Sequence, residues 1–184
     1  MRKALAFAIA LAGLALMAGS VAVFGVRAPA RPGPIAAAWS ETKWPFLLDQ
    51  WGIGKAFVCQ PADCGVRLSV YVRPKIGFCN CTTGVSDDAE LERVADTDLV
   101  SPNPTALGPG RFVNVGWMKG LSRSYRVADG ADEHLLSVAY NDRCDVIVAI
   151  ATLGGRDPAA VEPAVVAFLG SARMLQWASK ELGL

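Results

Sequence analysis

The run from Phe57 to Thr83, FVCQPADCGVRLSVYVRPKIGFCNCTT, holds four of the five cysteines in the chain and its clearest alternating strand. Few folds accommodate so dense a set of thiols beside a strand, so this stretch constrains the rest. Phe57-Val58-Cys59 reads as a short strand, and Gln60 to Asp63 as a four-residue turn with Pro61 at its second position. Cys59 and Cys64 then flank a tight turn, where two Cα atoms come close enough for a disulfide. Val66, Leu68, Val70 and Val72 alternate with Arg67, Ser69, Tyr71 and Arg73, the pattern of a half-buried strand with one polar face. Pro74-Lys75 is expected to break that strand. Lys75 to Cys81 reads as the next one, with Cys79 and Cys81 on the same face.

Three chemistries fit Cys79-Asn80-Cys81. A thiolate pair holds a soft metal such as copper or zinc. A C-x-C pair cycles as a redox dithiol. Alternatively, one sulfur is bonded elsewhere in the sheet and the other is buried or free. A closed zinc site takes four ligands, whereas the chain has one histidine and no C-x-x-C pair. The structural reading is therefore preferred, and no cofactor is expected. The fifth cysteine, Cys144, opens an apolar strand far along the chain. The expected pairing is Cys59 with Cys64, and Cys144 with Cys81 or Cys79. Closing that longer loop stabilises a fold by about 4 kcal/mol in the chain-entropy model.

Disulfides imply an oxidising compartment, and the N-terminus supplies a route to one. Arg2-Lys3 precedes an uncharged apolar run from Ala4 to Val26. That run is longer than a usual secretory core and long enough to span a bilayer. The small residues Ala28-Pro29-Ala30 nevertheless offer a cleavage site, so residues 1–26 are a signal-anchor or a signal peptide. Either way the positive residues stay on the cytoplasmic side and the body is exported to the periplasmic side of the cytoplasmic membrane. No cysteine lies near the end of the run for lipid attachment. Residues 27–38, with Pro29, Pro32, Gly33 and Pro34, form a Pro-rich linker. Residues 39–184 form a single exported domain. Three of the 18 basic residues, Arg2, Lys3 and Arg27, fall in residues 1–30, which hold no acid. The remainder is slightly acidic, which argues against a nucleic-acid partner needing a basic face.

Trp44, Leu47, Leu48 and Trp51 recur at helical spacing, with Pro45 suited to a first turn and Gly52 and Gly54 to an end. The stripe either lays its indoles on the domain or lies at the membrane interface, with Trp39, Trp44 and Trp51 as interface candidates. Further on, Asp87 and Glu90 form a capping box. Leu91, Val94, Ala95 and Leu99 are the apolar stripe of that helix, and Glu90, Glu92, Arg93 and Asp96 its wet side. Ser101-Pro102-Asn103-Pro104 stops it. Strands follow at Phe112–Trp117, Leu121–Val127, Leu135–Tyr140 and Cys144–Thr152, with turns near Gly120, Asp129-Gly130 and Asn141–Arg143. The last strand, apolar on both faces, belongs mid-sheet under cover. Asp157-Pro158 caps a helix whose regular part begins near Glu162, with Val165, Phe168, Leu169 and Ala172 facing the core. The tail to Leu184 is helical or packed over the sheet.

This order gives an α+β domain: a single antiparallel β-sheet with two or three helices packed on it, preceded by an N-terminal apolar helix. From Asp87 onward it resembles the PsbP-like fold, also adopted by a nuclear-import factor that binds a small GTPase. The resemblance rests on a capped helix before a strand near Gly120 to Tyr125, and on a hairpin leading to a helix with the end Phe168 to Ser171. It covers about 100 residues, excludes the cysteines at 59–81, and implies a non-catalytic accessory role with no active-site residues.

His134 is the only histidine. A Cys144/His134 dyad would need a third group and an oxyanion hole that no motif supplies. No nucleophile elbow, phosphate loop or dinucleotide fingerprint occurs. The expectation is a non-catalytic, disulfide-stabilised interaction or assembly-accessory domain with a protein partner, touching the cytoplasmic membrane through residues 4–26 if these are retained. The alternatives are a metal-binding protein using Cys79 and Cys81, or a thiol oxidoreductase.

Overall fold

The structure, a computed structural model, describes residues 39–127 and 134–184. The apolar run, the linker and the Asp129-Gly130 turn lie outside the described residues. The strands are β1 (Trp39–Thr42), β2 (Lys55–Cys59), β3 (Leu68–Lys75), β4 (Thr105–Ala106), β5 (Arg111–Val115), β6 (Met118–Arg126), β7 (His134–Asp142) and β8 (Asp145–Thr152). The helices are α1 (Pro61–Cys64), α2 (Asp88–Val94), α3 (Pro158–Leu169) and α4 (Ala172–Glu181), with a 3-10 turn at Thr97–Leu99. One antiparallel sheet runs in the order β1-β2-β3-β8-β7-β6-β4, and β5 pairs with the other end of the β6 edge. The α+β class and the single antiparallel sheet are as expected, and β8 is central between β3 and β7. Among the described residues the helices number four rather than two or three, and they lie on both faces.

Alternation along β8 decides what each face meets. Ile147, Ala149 and Ala151 point into a core with Val165, Phe168 and Leu169 of α3 and Met174 and Ala178 of α4. Val146 and Val148 point the other way, to Leu91 and Val94 of α2 and to Val85 and Cys79. Asp157 caps α3 by accepting from the Ala159 amide, so the helix begins at Pro158 and carries Pro163 inside it rather than starting near Glu162. Ala172 opens α4 and is exposed rather than in the core. Gly120 lies within β6 opposite Tyr140, and the turn it was expected to make falls at Gly116-Trp117.

Three local expectations fail for identifiable reasons. The tryptophan stripe is not a helix: residues 39–42 pair with β2 as a strand, and 43–54 is the connecting loop. Its periodicity misled because Leu47 and Leu48 face solvent, not a core. Lys75 to Cys81 is not a strand either. Gly77 takes a left-handed φ of 66°, and the Asn80 side chain accepts from the Thr82 and Thr83 amides in a local turn. β3 meanwhile runs through Pro74 to Lys75, opposite Ile147 and Val146. Gln60 to Asp63 does turn as expected, the Asp63 amide donating to the Gln60 carbonyl at 3.0 Å, and the turn continues into the single turn of α1.

Candidate functional site

The polar face expected of β3 is not wet. Arg73 and Lys75 are 2% and 4% exposed, and Asp96, read as part of a wet stripe, is 4% exposed. Asp96 stands where α2 gives way to the 3-10 turn, which aims its carboxylate down onto β3. Arg73 donates to it in a fork, Nε to Oδ2 at 2.6 Å and Nη2 to Oδ1 at 2.8 Å. Lys75 Nζ reaches the same carboxylate at 2.7 Å and donates to the Val94 carbonyl at 2.7 Å. The other side of the guanidinium, Nη1, meets both oxygens of Asp49 at 2.7 and 2.8 Å. Two cations and two anions thus close a neutral cluster that ties the 43–54 loop, β3 and the end of α2 together. Burial raises the cost of charge at Asp49, but donation from Arg73 and the Trp51 amide outweighs it and holds its carboxyl below the usual range. Arg73 likewise pays for desolvation, yet Asp96 and Asp49 raise its pKa.

Aromatic rings wall the cluster. Trp51 lies 4.5 Å from Phe78, centroid to centroid, and Lys75 Nζ sits 5.4 Å from Trp51 and 5.6 Å from Phe78. Trp44 packs edge-on to Tyr71 and Phe46, over Gly54. A Cβ at Gly54 would come within 2.6 Å of that indole, so the close approach needs glycine there. The groove beside the cluster has a volume of about 570 Å³. A second buried carboxylate, Glu162 of α3, takes the Ser122 hydroxyl and Arg111 and ties the helix to the β5–β6 edge. Sequence reasoning missed Asp96 and Glu162 because each follows helical spacing on a nominally polar side. The signal for Asp96 was the pair of cations, Arg73 and Lys75, close together on one strand.

The two disulfides lie at opposite ends of the sheet, Cys59 beside Leu68 at the start of β3 and Cys144 beside the β7–β8 turn. Cys59 bonds Cys64, and Cys81 bonds Cys144 across 63 positions. Cys81, joined to Cys144, is therefore not half of a thiolate pair with Cys79, and the metal and C-x-C redox readings lose their second ligand. Among the described residues there is no group of three or more metal-ligating side chains. Cys79 is free and buried, its Sγ 3.2 Å from the Arg143 carbonyl and its amide 3.1 Å from the Cys144 carbonyl. Burial, helped by Glu90 and Asp145, pushes its thiol up to about 11. That makes it a poor nucleophile at neutral pH.

Trp39 is buried and stacked on Phe168 at 4.7 Å, Trp44 is buried, and Trp51 is half-buried. Two of the three proposed interface indoles thus belong to the interior of the domain. His134 opens β7 and Cys144 lies beyond its far end, roughly 27 Å away along nine residues of strand. They form no dyad. No family model matches the chain, and no curated protein matches it either.

Proposed function

We propose that this chain is a non-catalytic, exported interaction or assembly-accessory domain held at the outer face of the cytoplasmic membrane. The observation that carries this reading is the closure of the groups best suited to chemistry. The cations of β3 are neutralised by Asp96 and Asp49, and Cys81 is bonded to Cys144. Cys79 is buried with a raised pKa. The two disulfides are consistent with an oxidising, non-cytoplasmic environment. No described helix is long and apolar enough to cross a membrane. The attachment is assigned to residues 4–26 from the length and apolar character of that run. The PsbP-like resemblance points toward the same accessory role.

The full chain, expressed in a Gram-negative host, tests this by fractionation and protease access. It is expected to float with membranes and to be cleaved from the periplasmic side of spheroplasts. It should also fail to reduce an insulin disulfide. Recovery from the cytosol, or turnover of that disulfide, contradicts the reading.

A further inference from the structure

Strand register places three connections at one end of the sheet, together with the turn that leaves β3 after Lys75. The 43–54 loop joins Thr42 to Lys55, and Lys55 lies near Val72, toward the Lys75 end of β3. Lys75 pairs with Val146 next to the β7–β8 turn, and Asn141 pairs with Lys119 next to the β5–β6 turn. Of the eight large apolar side chains that face water among the described residues, five lie at this end, the others being Leu107, Phe112 and Leu184. Leu47 is 91% exposed and Leu48 71%, and Ile53, Ile76 and Trp117 are each more than half exposed. The 43–54 loop, which carries Leu47, Leu48 and Ile53, is fastened by Asp49 to Arg73 and by Trp51 to Phe78. Exposed cations surround the patch: Lys43, Lys119 and Arg143. Of the acids nearby, Asp49 is held by Arg73, Asp145 accepts from the Gly77 amide, and the half-buried Asp142 stands beside Arg143 in the β7–β8 turn, leaving Lys43 and Lys119 as the cations without an adjacent acid in that turn. Exposed leucines on a braced loop with basic residues around them match the apolar-and-cationic character of a bilayer-seated surface.

The length of chain before the domain selects the occupant. The chain enters β1 at Trp39, opposite Cys59, which is the other end of the sheet. The linker of residues 27–38 spans about 40 Å when extended. That exceeds the roughly 26 Å of an eight-residue strand such as β3. A domain tethered by residues 4–26 can therefore turn its apolar end back to the lipid. We propose that this end rests on the bilayer surface, with Leu47, Leu48, Ile53 and Ile76 in the acyl boundary, Trp117 at headgroup depth, and Lys43 and Lys119 on lipid phosphates. The proposal rests on the membrane-associated reading above and names the surface that does the touching.

The test uses the full chain in vesicles of phosphatidylcholine and phosphatidylglycerol containing acyl-brominated lipid. Flotation is scored first. Tryptophan quenching is then compared with that of Trp117→Phe, and amide exchange over residues 46–53 with that of L47S/L48S in the same vesicles. The expected result is quenching that Trp117→Phe removes, with loop exchange about tenfold slower in the native chain than in the variant. A chain that floats with Trp117 unquenched and loop exchange the same in both proteins overturns this surface while leaving membrane association intact. A chain that does not float overturns both. Slowed exchange that tracks protein density without quenching identifies a second copy of the chain as the occupant, and the bilayer proposal is then wrong.

Discussion

The two faces of the sheet are closed by different means. One is covered by α3 and α4, twenty-two helical residues whose Val161, Val165, Phe168, Leu169 and Met174 meet β2, β3, β7 and β8 in a dry core. The other is covered by the seven residues of α2 and by loops on either side of it. Leu91, Val94, Val85 and Cys79 make up a much smaller apolar cluster there. What that face lacks in apolar area it replaces with directed bonds. The Arg73–Asp96–Lys75 cluster, the Cys81–Cys144 bridge and the Asn141 side chain accepting from the Val85 amide hold the loops in place. A short helix between loops has too few side chains to cover a sheet by burial alone. Buried charge is tolerated there only because every member has a partner.

The sharpest way to break the contrast is to remove one group from each face. Phe168→Ala should cost about 3–5 kcal/mol through the cavity it leaves. Asp96→Ala should cost about 3–5 kcal/mol for another reason, the stranding of two buried cations. The repairs differ. Arg73→Met, Lys75→Met and Asp96→Leu together should recover most of the loss, whereas no polar residue at 168 should. Denaturant unfolding of the set checks this, and a triple variant as unstable as Asp96→Ala would refute the charge account.

The next effect is covalent. Replacing Cys81 and Cys144 by serine opens a loop of 63 positions, and the entropy model gives about 4 kcal/mol. The same change at Cys59 and Cys64 opens five positions and should cost about 2 kcal/mol. Thermal unfolding of both double variants ranks them. Equal losses would mean that the longer bridge does not brace the loop-covered face.

Acid gives a smaller effect that is again confined to directed bonds. Asp49 is lowered by Arg73 and the Trp51 amide against the cost of burial, Glu90 chiefly by Arg93, and Glu41 chiefly by Lys55. A carboxyl whose folded pKa is depressed binds fewer protons folded than unfolded. Its stabilisation is therefore present above about pH 4 and is lost as pH falls through the folded value. These groups are partly solvent-exposed, so each contributes on the order of 1 kcal/mol or less. Unfolding free energies between pH 6 and 2 should decline below about pH 4, and Asp49→Asn should flatten the decline.

The dry face was legible in the sequence. The strand at 145–152 reads as central from its unbroken apolar run, and Val165, Phe168 and Leu169 follow helical spacing. Asp87 as a cap and the pairing of Cys59 with Cys64 follow from local rules as well. The loop-covered face was not legible, because its order lies between segments distant in sequence. Arg73 and Lys75 obey strand alternation and so look solvated until Asp96 arrives from the far side of α2. Four residues of β1 are too few to show a period, so Trp44 and Trp51 lent the 43–54 loop a helical pattern it does not use. Glycine at 77 and the Asn80 turn bent Cys79 and Cys81 out of the strand that their spacing suggested.

The central claim is that the Cys81–Cys144 bridge helps close the face that only the short α2 covers. Peptide mapping of the full chain under non-reducing conditions, after thiol alkylation at pH 8, tests it most directly. The account predicts Cys59 linked to Cys64 and Cys81 linked to Cys144. Cys79 should be the single alkylatable thiol in unfolded protein, and much slower to react while folded, because it is buried and its thiol is pushed up to about 11. Five rapidly alkylated thiols in the folded, membrane-recovered chain would contradict it.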